Sequence, residues 1–185
     1  MRDQWFVELG WNHSRTKHIA LCRGAANVQD KEWGAIITWT YNESPYIENG
    51  TELLQDMITA YRAGAKYIIV FNYPHNQNFG ILEEEHFTAM ETFWKMTSLP
   101  QHESLVEIEA QVAYVLPKDY GWGMRHPDDK IWFPQWGPDE LSTKIWNNMN
   151  ELIEEYGLNL DIVYEDSEFP LEGKYEEIFY WNQTN

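Results

Sequence analysis

The sequence has a single cysteine, Cys22, in 185 residues. That excludes an internal disulfide and a cysteine-based zinc centre, and leaves Cys22 to be read as a small, buried apolar residue on a helix. Positive charge is scarce too: 13 Lys and Arg stand against 30 Asp and Glu, a net charge of −17. Such a surface repels phosphate backbones and anionic lipid, so neither nucleic acid nor a membrane surface is an expected partner. No apolar run approaches the roughly 18 residues needed to cross a bilayer. The opening MRDQWFVELGWN sets an acid and a strand-like segment where an export signal needs its apolar core, so no signal peptide is expected in this chain. Walker loops, GxGxxG turns and GxSxG elbows are missing. His13 and His18 are five apart, wrong for one helical metal face, and His126-Pro-Asp-Asp is too short a cue, so no metal and no cofactor is expected.

What is present is apolar and aromatic. Hydrophobic residues make up 43% of the chain, ample for a core, and aromatics 16%, with ten Trp, many of them in polar loops where burial explains them poorly. Four Asn-x-Ser/Thr sequons, at Asn12, Asn42, Asn49 and Asn182, exceed the one or so that chance gives. Sequons have no meaning in a cytoplasm, so they hint at an exported parent protein, while the localisation of this chain stays unassigned.

Periodicity and punctuation alternate strand with helix. Residues 5–11 (WFVELGW), 35–41 (AIITWTY), 66–73 (KYIIVFNY), 109–116, 160–166 and 175–181 read as strands. Residues 13–31 form a helix with a thin apolar stripe of Ile19, Cys22 and Ala26. Asn49 with Glu52 three residues on is a capping box for a helix ended by Gly64. A third helix spans Leu82 to Met96, with Leu82, His86, Met90, Phe93 and Trp94 on about one face. Leu141, Ile145, Met149, Leu152 and Tyr156 mark a fourth, ended by Gly157. The class is α/β with a mostly parallel sheet. One architecture is a single six-stranded doubly wound domain. The other divides the chain in the polar segment 97–107, giving units of residues 1–100 and 101–185.

The phrases GAIITWTYNESPYIENG and AGAKYIIVFNYP, with the helix between them, resemble the last barrel units of glycoside-hydrolase-type TIM barrels. In some of these, such as certain β-galactosidases, an amidotransferase-like, flavodoxin-fold domain follows, and AQVAYVLPKDYGWGMR resembles its opening. The resemblance implies three late βα units followed by a small flavodoxin-like βαβ module, with carbohydrate as the substrate class. Three units cannot close an eight-stranded barrel, which takes about 250 residues. The missing strands would come from a longer chain or from a homo-oligomer. The second half has no cysteine, so amidotransfer itself is excluded.

In parallel sheets ligands bind at the carboxyl ends of strands. Glu8 sits late in the first strand and Glu43 two residues past the second, so the two are the expected carboxylate pair of a glycoside hydrolase. Strands about 4.8 Å apart allow either the retaining or the inverting separation. Trp11, Trp39, Tyr41 and Tyr73 supply flat faces for sugar rings. Trp122 and Arg125, in the loop 120–140 with Trp132 and Trp136, form a second expected contact region. The plainer alternatives are surface acids, barrel filling by Trp39, and a loop packed down by its tryptophans. Glu48 is expected to place charge near a helix start. A noncatalytic sugar-binding or assembly module would need no carboxylate pair.

Overall fold

The computed structural model describes residues 4–10, 14–37, 48–72, 74–75, 79–98, 105–118, 120 and 140–183. Its elements run β1 (Gln4–Leu9), α1 (Arg15–Val28), β2 (Glu32–Ile37), α2 (Gly50–Arg62), β3 (Tyr67–Val70), β4 (Pro74–His75), β5 (Phe79–Gly80), α3 (Glu84–Ser98), β6 (Val112–Leu116), α4 (Glu140–Tyr156), β7 (Leu160–Tyr164) and β8 (Glu177–Tyr180). The α/β class holds. The six long strands do not join one doubly wound sheet: they form two parallel three-stranded sheets, ordered β1-β2-β3 and β7-β6-β8. A short antiparallel pair, β4 with β5, was not expected from the sequence.

The first sheet is covered by helices on one face. Val7, Leu9, Trp33, Ala35 and Ile37 point there and meet Ile19 and Ala26 of α1 and Leu53, Met57 and Ala60 of α2. Helix α2 starts as its capping box dictates: Asn49 Oδ1 accepts from the Thr51 and Glu52 amides, and Glu52 returns a bond to the Asn49 amide. Gly64 follows at φ +87, the left-handed turn that glycine adopts without cost. Strand β2 begins three residues before the expected start, because Gly34 belongs inside it. A Cβ at Gly34 would lie 2.7 Å from the Phe6 ring and 2.8 Å from the Tyr67 side chain. On α3, Trp94 is 69% exposed rather than on the inner face. Consecutive residues point about 100° apart on a helix, and Phe93 takes the inward direction, meeting Tyr61 edge to face at 5.9 Å.

The second sheet packs Val112, Tyr114, Leu116, Leu160 and Ile162 against Ile145, Met149 and Leu152 of α4, the expected helical face. Along β7 runs α1, which explains that helix's thin apolar stripe. Its second face is small or charged: a Cβ at Gly24 would lie 2.4 Å from the Ile162 carbonyl, and Ala20 joins the second core. Arg23 donates to the Leu158 and Leu160 carbonyls and pairs with Asp161. The extended chain between the sheets is pinned at Ile108, whose amide donates to the Arg62 carbonyl and whose carbonyl accepts from Arg23. Helix α1 therefore caps the edge of β7 that would otherwise be open to pairing with another strand.

Candidate functional site

Same-numbered rows of a parallel sheet share a face, so register decides what stands beside Glu8. Glu8 is aligned with Ile36 and Ile69, and the row before it holds Phe6, Gly34 and Tyr67. Among the described residues no helix packs on this face. Phe6 is 39% exposed, Tyr67 38% and Ile69 45%, and Phe71 beyond the end of β3 is 39%. The Phe6 and Tyr67 rings lie 6.1 Å apart above Gly34, which has no side chain to separate them. At the amino end Tyr67 donates to Glu32 Oε2 at 2.8 Å and accepts from Gln4 at 2.9 Å. The hydrogen bond to Glu32 raises the Tyr67 hydroxyl above its ordinary pKa, since it favours the protonated phenol. Glu8 is thus an exposed carboxylate in the carboxyl half of an open, aromatic-bearing face.

The rim at the carboxyl ends of these strands is built from buried polar groups. Arg15, in the first turn of α1, donates to the Gly10 carbonyl at the end of β1, to Glu48 and to both oxygens of Asp56 on α2, the nearer at 3.0 Å. Glu48 is 3% exposed and Asp56 7%. Glu48 does more than place charge beside a helix start: it is a buried ion-pair partner. His86, 2% exposed on α3, ties down the same stretch. Its Nδ1 accepts from the Glu83 amide at 2.8 Å, so its Nε2 carries the proton and donates to the Glu48 carbonyl at 2.7 Å. Glu85 accepts from the Gly50 amide at 3.0 Å.

Of the expected site residues, Glu8 alone falls among those described. Glu43, Trp11, Trp39, Tyr41, Tyr73, Trp122 and Arg125 lie outside the described residues, as do Trp132 and Trp136. Phe6, Tyr67 and Phe71, which the sequence places in strands with no site role, are the aromatics on the face of Glu8 among the described residues. The alternation Phe6-x-Glu8 was the signal: a carboxylate and a phenyl ring on one side of a strand mark a face that is not a closed core. Among the described residues no group of three or more His, Cys, Asp or Glu is placed to hold a metal ion, and no helix is long and apolar enough to cross a membrane.

Comparison with family models, with curated proteins and with solved structures finds no match to this chain.

Proposed function

We propose that the chain is the carboxyl-terminal part of a glycoside-hydrolase-like protein that binds or cleaves carbohydrate. In this reading the first sheet is the last three βα units of a TIM-type barrel, and the second is a flavodoxin-like module. One observation carries it: a parallel, sequentially ordered sheet with helices on one face leaves Glu8 and exposed aromatics on the other. Of the exposed large hydrophobics among the described residues, Phe6, Tyr67, Ile69 and Phe71 gather on that open face or at its carboxyl end. Exposed apolar groups concentrated in this way mark a surface meant to be covered. Further barrel strands, from a longer chain or a second copy, would cover it and complete the mouth around Glu8 and Glu43. The order β7-β6-β8, second-first-third, supports the flavodoxin-like reading of the rest.

In the proposed chemistry Glu8 and Glu43 divide the work of acid and nucleophile or base, and Phe6 and Phe71 join Trp11, Trp39, Tyr41 and Tyr73 as ring platforms. A panel of aryl glycosides and immobilised glycans tests it. Turnover lost in Glu8→Gln and Glu43→Gln supports an enzyme, and binding without turnover supports a sugar-binding module. Indifference of both activities to both substitutions removes these residues from the site.

A further inference from the structure

Asn49 and Gly50 are the one Asn-Gly pair in the chain. Such a pair is chemically labile, because the glycine amide nitrogen can attack the preceding side-chain carbonyl carbon with no Cβ in its way. The fold explains why the glycine is there. Gly50 is buried at the start of α2, where a Cβ would lie 2.6 Å from the Glu85 carbonyl oxygen. Glycine is otherwise a poor helix residue, so the close approach of α3 dictates it.

The same surroundings keep the reacting groups apart. Asn49 Oδ1 accepts from the Thr51 and Glu52 amides, both at 3.0 Å, and Glu52 bonds back to the Asn49 amide. Ring closure needs the Asn49 Cβ and the Gly50 nitrogen eclipsed about the Cα–C bond between them, and at ψ 165° they are staggered. The attacking species is the amide nitrogen after loss of its proton. Gly50 donates that N–H to Glu85 Oε2 at 3.0 Å, and a carboxylate accepting the bond favours the protonated amide. Asn49 itself is exposed, so water reaches it.

We propose that Asn49 is a deamidation site gated by the start of α2, closed while the cap is formed and reactive when the first turn unwinds. In the unwound turn the Gly50 nitrogen bonds to Asn49 Cγ. Its proton ends on the departing side-chain amide, which leaves as ammonia. Water then opens the succinimide at one of its two carbonyls, giving aspartate or isoaspartate. Aspartate keeps an oxygen where the cap needs one. Isoaspartate routes the main chain through Cγ and adds a methylene to it, so the capping box cannot re-form and the first turn of α2 stays open. The proposal is independent of the carbohydrate reading, so either can fail alone.

Peptide mapping by mass spectrometry tests it on the whole chain, made in bacteria and aged at mildly alkaline pH with and without guanidinium chloride. The peptide carrying Asn49 gains the mass of an acid in place of an amide, and its aspartate and isoaspartate forms separate by chromatography. Conversion at Asn49 is expected to be at least about tenfold slower in the folded wild type than in the unfolded one, a comparison that needs no variant. Glu85→Ala, with its fold checked by circular dichroism, is expected to convert faster than wild type without denaturant and at the same rate in it. Equal rates for folded and unfolded wild type overturn the proposal. So does folded Glu85→Ala converting no faster than wild type, or an isoaspartate chain whose first turn of α2 keeps wild-type amide protection.

Discussion

Arg23 on α1 and Asp161 on β7 form an ion pair sealed between the two sheets, Nε to Oδ1 at 2.7 Å, with 3% and 0% of their side chains exposed. Asn27 and Tyr175 donate to the other Asp161 oxygen at 2.7 and 2.9 Å, so the carboxylate is fully engaged. The Tyr175 hydroxyl is raised well above its ordinary pKa, by burial first and then by the Asp161 charge. Removing one partner of such a pair leaves an uncompensated buried charge. Asp161→Ala is therefore expected to cost about 3–5 kcal/mol of stability, and denaturant unfolding of the variant beside the wild type measures it. A loss under about 1 kcal/mol, the range of exposed pairs, contradicts the sealed seam.

Gly24 tests the same seam by shape. A Cβ there would meet the Ile162 carbonyl at 2.4 Å, and backbone cannot move aside as a flexible side chain can. Gly24→Ala is expected to destabilise by about 1–3 kcal/mol, against the usual helix gain from replacing glycine. Thermal unfolding decides the sign.

Lys17 makes the contact of α1 with α4 sensitive to alkali. Its ammonium sits 3.5 Å from the centre of the Trp146 ring and donates to Asn150 at 2.7 Å, while burial lowers its pKa from 10.5 to about 8. The unfolded chain then binds more protons than the folded one between about pH 8 and 10.5. Stability from this group accordingly rises with pH across that window. Unfolding free energies of wild type and Lys17→Met measure it, and the variant should lack the rise.

Cys22 should be inert. Burial pushes its thiol up to about 12, so almost no thiolate exists at pH 8. Alkylation by iodoacetamide is expected to be slow in the folded chain and fast once it unfolds. Rapid labelling of the native chain would put the thiol in a different environment.

Much of this fold was legible because its signals are local. The Asn49–Glu52 box, Gly64, Gly157 and the Ile145-Met149-Leu152 stripe each depend on residues within a few positions, and each stands where periodicity places it. The second face of α1 was not legible. Lys17, Arg23 and Gly24 look like a solvated side, and their burial depends on β7 and α4, more than 100 residues away in sequence. The open face of the first sheet was hidden for a related reason. Residues such as Phe6 and Ile69 have strand propensity wherever they sit, and their exposure depends on which other elements are present. At the site, a glutamate late in β1 was readable, but the Arg15 clasp joins three separate segments by side chains alone and leaves no spacing pattern.

The most direct measurement is glycan binding by the whole chain, wild type against Glu8→Gln, on a panel of soluble oligosaccharides by calorimetry. A carboxylate that accepts sugar hydroxyls contributes about 1.5–3 kcal/mol, so at least one glycan should bind and should lose about tenfold or more in affinity when Glu8 is neutralised. Equal affinity in the two proteins, or no glycan bound by either, contradicts the placing of a sugar on the open face of the first sheet.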